Sequence, residues 1–128
     1  MGTDVKRFPM RFRHLVFMYR LLGMSPANSW IEVEPDVVRA KMGWAFRTEL
    51  PRTSVRSAAL DTSRVLGWGV HGWKGEWLVN ATADGIVRIA IEPRTCAHVL
   101  MMSVRLGVLR IGVEDPNGLI RALTARNP

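Results

Sequence analysis

The chain has 128 residues, enough for one domain with its own core and too few for two ordinary domains. Hydrophobic residues make up 48% and charged residues 23%, a globular balance that excludes a disordered tail, a collagen-like repeat and a coiled coil. A lone cysteine, Cys96, rules out an intramolecular disulfide and a cysteine-based zinc cluster, while 18 Lys and Arg against 11 Asp and Glu give a net charge of +7, which favours acidic partners without identifying one.

Residues 1–29 read as a basic amphipathic segment distinct from the domain at 30–128. Lys6, Arg7, Arg11, Arg13 and Arg20 stand there against Asp4 alone. Phe12, Leu15, Val16, Tyr19 and Leu22 recur at helical spacing and predict a short helix over about 11–23, ended by Gly23 and Pro26. Arg20 interrupts the apolar run Leu15–Tyr19, which is far shorter than the roughly 20 residues a spanning helix needs and is followed by a poor cleavage site. A cytoplasmic address is expected, with peripheral attachment to the inner face of the membrane as an extension of it.

From Trp30 the period changes to alternation. Ile31 and Val33 oppose Glu32 and Glu34, and Pro35-Asp36 turns the chain. Val38, Ala40 and Met42 oppose Arg39 and Lys41; after Gly43-Trp44, Phe46, Thr48 and Leu50 oppose Arg47 and Glu49. A fourth strand covers about 54–60, and residues 61–75 form the least regular stretch. Asp84-Gly85 predicts a tight hairpin joining a strand at Trp77–Ala81 to one at Ile86–Ile91, because glycine accepts the positive φ of a type I′ turn. The last strand, 104–114, changes parity between Leu106 and Leu109, which predicts a β-bulge near Gly107. Asp115-Pro116 then caps a helix whose buried face is Leu119, Ile120 and Leu123.

The expected architecture is mainly β (α+β): seven antiparallel strands, a C-terminal amphipathic helix and the short basic N-terminal helix. That layout resembles a pleckstrin-homology-like (PH-like) barrel. Gly67-Trp68-Gly69-Val70-His71-Gly72-Trp73-Lys74-Gly75-Glu76-Trp77-Leu78-Val79-Asn80 is similar to a stretch of small uncharacterised bacterial proteins of that type. The ending Leu109-Arg110-Ile111-Gly112-Val113-Glu114-Asp115-Pro116-Asn117-Gly118-Leu119 is similar to theirs as well, with strand, Asp-Pro cap and helix in direct succession. The resemblance implies a binding scaffold with no common catalytic residues and no cofactor. Phosphoinositide-binding members place a Lys and a basic-x-basic pair across their first hairpin; Lys41 and Arg47 stand comparably, but Glu49 takes the final basic place and argues against inositol phosphate recognition.

Gly67-x-Gly69-x-x-Gly72 matches a dinucleotide fingerprint only as text, since no helix pattern follows it. His71 with Trp73 and Lys74 marks the candidate ligand or partner site; no nucleophile or carboxylate pair accompanies His71, and a structural histidine is the favoured account. His14 and His98 lie in unrelated segments, so no metal-ligand spacing emerges. Lys6, Arg7, Arg11, Arg13, Phe17 and Arg20 are the candidate contacts to a protein partner or an anionic membrane surface, against the alternatives that the N-terminal stripe docks on the barrel or is buried in a homo-oligomer. Nucleic-acid binding ranks lower, because no helix-turn-helix, RNA-binding sheet or zinc-finger signature is present. The reading is therefore a non-enzymatic binding module, with a small-molecule-binding or enzymatic barrel using the Gly67–Trp77 loop as the alternative.

Overall fold

The computed structural model describes residues 5–11, 28–61, 69–73, 75–80 and 85–125, with 69–73 and Asn80 described by their backbone path. Its elements in chain order are β1 (Lys6–Pro9), β2 (Ser29–Val33), β3 (Val37–Met42), β4 (Phe46–Pro51), a 3-10 turn at Arg52–Ser54 and β5 (Val55–Leu60). They continue with β6 (Gly69–Trp73), β7 (Glu76–Asn80), β8 (Ile86–Val99), β9 (Met102–Gly112) and the helix α1 (Pro116–Thr124). Among the described residues the chain is mainly β with one C-terminal helix, and its sheet curls into a half-barrel. The expected N-terminal helix lies outside the described residues.

Alternation sets which face is buried. Val38, Ala40 and Met42 of β3 and Phe46, Thr48 and Leu50 of β4 point inward and are at most 3% exposed, while Arg47 and Glu49 point out. Thr48 is admitted to the core because its hydroxyl donates to the Cys96 carbonyl at 2.9 Å, which satisfies the buried oxygen. Val87, Ile89 and Ile91 of β8 face inward as expected, with Arg88 outside.

Among the described residues the sheet has nine strands, not seven, in the order β1-β2-β3-β4-β8-β9-β7-β6, with β5 paired on β8. Two of them, β1 and β6, carry no alternation that the sequence makes legible. β8 and β9 form one long bent hairpin: β8 offers β4 its C-terminal half and β5 its N-terminal half.

The parity change on β9 occurs where it was expected. Leu106 and Leu109 are both buried, and the register of β8 against β9 shifts there. The extra residues are nevertheless on the partner, because residues 91–94 of β8, including the cis Glu92-Pro93 bond, stand opposite Gly107. The N–H groups of Gly107 and Val108 both donate to the Gly75 carbonyl, at 2.8 and 3.0 Å. Gly107 is bare because the Arg94 side chain crosses it, with Nε 3.0 Å from where a Cβ would stand.

Asp84 lies outside the described residues, and among those described β7 and β8 do not pair as the hairpin expected at Asp84-Gly85 requires. β7 runs parallel to β9 and antiparallel to β6, so β9 lies between β7 and β8. Gly85 does take the positive φ, 70°, and its carbonyl accepts from Val113 N–H at 3.0 Å. A turn signal fixes local backbone geometry; which strand then lies alongside is decided by burial over the whole sheet, and β9 supplies apolar residues at both parities.

After β9 the cap is as expected. Asp115 accepts from Gly118 N–H at 3.0 Å through its side chain, and Pro116 opens α1 without losing a hydrogen bond. Leu119 and Leu123 of α1 enter the core, whereas Ile120, expected beside them, is only half-buried and packs at its margin. Met10, fully buried, pairs with Val113 in an isolated bridge, flanked by Arg11 N–H to Gly112 C=O (3.1 Å) and Glu114 N–H to Pro9 C=O (3.0 Å). The exit of β1 is thus tied to the end of β9 as well as to β2.

Candidate functional site

Two parallel rows of side chains cross the outer face of the sheet. The first is Arg7, Glu32, Arg39 and Glu49 on β1 to β4, in direct cross-strand register. It alternates in sign and neutralises itself: Arg7 donates to Glu32 at 2.7 Å and Arg39 to Glu49 at 2.8 Å, with Glu34 also paired to Arg39. Arg7 additionally lies over the Trp30 ring, 4.7 Å from its centroid.

The second row lies one residue pair nearer the hairpin turns and reads Trp30, Lys41, Arg47, His98 and Ser103. Lys41 stands directly opposite Arg47, an arrangement that costs stability unless an anion screens it. Neither makes an ion pair or side-chain hydrogen bond among the described residues. His98 Nδ1 is 3.5 Å from Ser103 Oγ. Lys41, Arg47 and His98, with Trp30 and the paired Arg39 and Glu49 of the first row, line a shallow depression of about 430 Å³.

Just beyond this row the β3–β4 turn (Gly43–Ala45) and the β8–β9 turn (Leu100-Met101) meet, joined by Leu100 N–H donating to Ala45 C=O at 2.9 Å. Trp44 is 58% exposed, Leu100 53%, Met101 90% and Met102 65%. These are four of the six large hydrophobic residues exposed among the described residues, so the apolar surface is concentrated at one end of the sheet. With strands rising about 3.3 Å per residue, Lys41, Arg47 and His98 stand within roughly 10 Å of that tip.

The residues singled out from sequence are placed as follows. His71 and Trp73 lie on the terminal strand β6, opposite Leu78 and Glu76 of β7; Lys74 lies outside the described residues. Lys6 is opposite Val33, at the end of the sheet away from the two turns. Arg7 is bound to Glu32, and Arg11 donates to the Glu114 carbonyl at 2.9 Å and approaches its carboxylate at 3.9 Å. Both are therefore engaged by the fold itself. Arg13, Phe17 and Arg20 lie outside the described residues. The tip residues Trp44, Leu100, Met101 and Met102 were not recognised as a site, although the apolar run Leu100-Met101-Met102, lacking any turn residue between two strands, was the available signal.

A larger depression of about 560 Å³ lies between the 3-10 turn and the end of α1. Its Arg52 is occupied structurally, donating to the Ala122 and Ala125 carbonyls at 2.5 and 2.7 Å and so satisfying the last turn of α1. Among the described residues no three His, Cys, Asp or Glu side chains group as metal ligands, and no helix is long and apolar enough to cross a membrane. Compared with protein-family models, with curated proteins and with solved structures, the chain shows no match.

Proposed function

We propose that the chain is a non-enzymatic, PH-like binding module that docks on an anionic membrane surface with the turn end of its sheet. The PH-like part of the reading is supported by the half-barrel and by the Asp115-capped helix that follows its last strand. The observation that carries the membrane part is the contrast between the two rows. One row is neutralised within the fold; the adjacent one holds Lys41 and Arg47 side by side without a carboxylate. An anionic lipid surface supplies negative charge to such an adjacent pair of exposed cations. Each basic residue near such a surface contributes about 1 kcal/mol, so Lys41→Ala with Arg47→Ala removes about 2 kcal/mol, roughly 30-fold in affinity.

The test is co-sedimentation with vesicles of phosphatidylcholine alone and with 30% phosphatidylglycerol. Binding that requires the anionic lipid, weakens with salt and falls in the double variant supports the proposal. Binding indifferent to lipid charge, or unchanged in the variant, refutes it.

A further inference from the structure

The turn between β8 and β9 is built against the ordinary rules. Val99 pairs with Met102, leaving Leu100 and Met101 as a two-residue loop, and both have positive φ, 48° and 69°. Positive φ at both central positions belongs to a type I′ turn, which selects Asn-Gly or Asp-Gly because other side chains crowd the backbone there. Leucine and methionine are instead held in the left-handed region with their side chains in solvent, so the turn is unfavourable in both backbone and hydration. Backbone strain of this kind persists where the rest of the fold enforces it and is concentrated at functional positions. Here β8 and β9 enforce it from both sides, and the bond from Leu100 to Ala45 sets Trp44 beside it.

We infer that Leu100, Met101 and Met102, with Trp44 beside them, form a wedge that enters the acyl region of the bilayer, an inference that rests on the membrane reading above. The occupant is lipid because of what lies behind the wedge. Lys41, Arg47 and His98 stand two residues back from the turns along their strands, at the depth where anionic headgroups meet a tip sunk into the acyl boundary. The wedge contributes the salt-resistant part of binding, since apolar insertion is not screened, and the basic row contributes the salt-sensitive part.

The decisive variant carries Leu100→Asn and Met101→Gly, which restores the preferred turn pair and removes two apolar side chains. The full chain with this change is expected to melt about 5 °C higher or more, because the turn is relieved. It is expected to bind vesicles containing 30% phosphatidylglycerol roughly tenfold more weakly and to lose the fraction that survives high salt. In the wild-type chain, lipids brominated on their acyl chains should quench tryptophan emission, and Trp44→Phe should remove most of that quenching. Undiminished salt-resistant binding by the turn variant, or no quenching of the bound wild-type chain, overturns the wedge while leaving electrostatic docking intact. Failure of the wild-type chain to bind anionic vesicles overturns both. A wild-type dimer that dissociates in the turn variant, with vesicle binding unchanged, gives the tip to a second copy and also overturns the wedge.

Discussion

Arg88 and Arg110 face each other directly across β8 and β9, a like-charge contact that the sheet must neutralise. Asp61, just past the end of β5, does so: its carboxylate pairs with the Arg110 guanidinium, and side-chain exposures of 6% and 17% mark a largely buried pair. Such a pair adds little over apolar packing, yet removing one partner strands a charge. Asp61→Ala is therefore expected to cost about 3–5 kcal/mol in urea unfolding, while Asp61→Val with Arg110→Met costs less than the single change. In the sequence Asp61 only opens an irregular stretch, because its partner lies 49 positions further on. That Trp44 and the run at Met101 share one exposed tip was illegible for a related reason. Exposure is a property of the assembled surface, whereas the alternation that revealed Lys41 and Arg47 on an outer face is local.

Elements whose determinants lie within a few residues were readable, and those defined by a distant partner were not. The helix α1 belongs to the first kind, since Asp115, Pro116 and Gly118 build its N-terminus on their own. Asp115→Ala is expected to cost about 1 kcal/mol of stability, read from a thermal or urea transition, with the helix otherwise retained by Leu119 and Leu123. The parity change at Gly107 was legible too, since one strand cannot bury Leu106 and Leu109 on the same face without slipping. By contrast, Asp84-Gly85 announced a turn but not its partner. The strand β6, glycine-rich and without alternation, left no periodic trace, although its hairpin with β7 is held over five residue pairs.

For the whole molecule the decisive contact is the one that ties β1 to β9. Residues 1–29 read as an appended basic segment, yet Lys6–Pro9 is a strand of the sheet and Met10 belongs to the core. Met10→Ala is expected to cost about 2–5 kcal/mol, seen as a lower urea midpoint with an unchanged slope. The mainly β class, the terminal helix and a barrel-like curl were expected, while the strand order was not, because it depends on long-range pairing and on the irregularity between β8 and β9. That same closure orders events in time. Arg11 and Glu114 are 103 positions apart, so the seam at Met10 and Val113 has nothing to zip onto until nearly all of the intervening polypeptide has been synthesised. Nascent chains must therefore carry an unsealed flank until Val113 and Glu114 have emerged, and sealing it belongs among the slow, topology-limited steps of maturation.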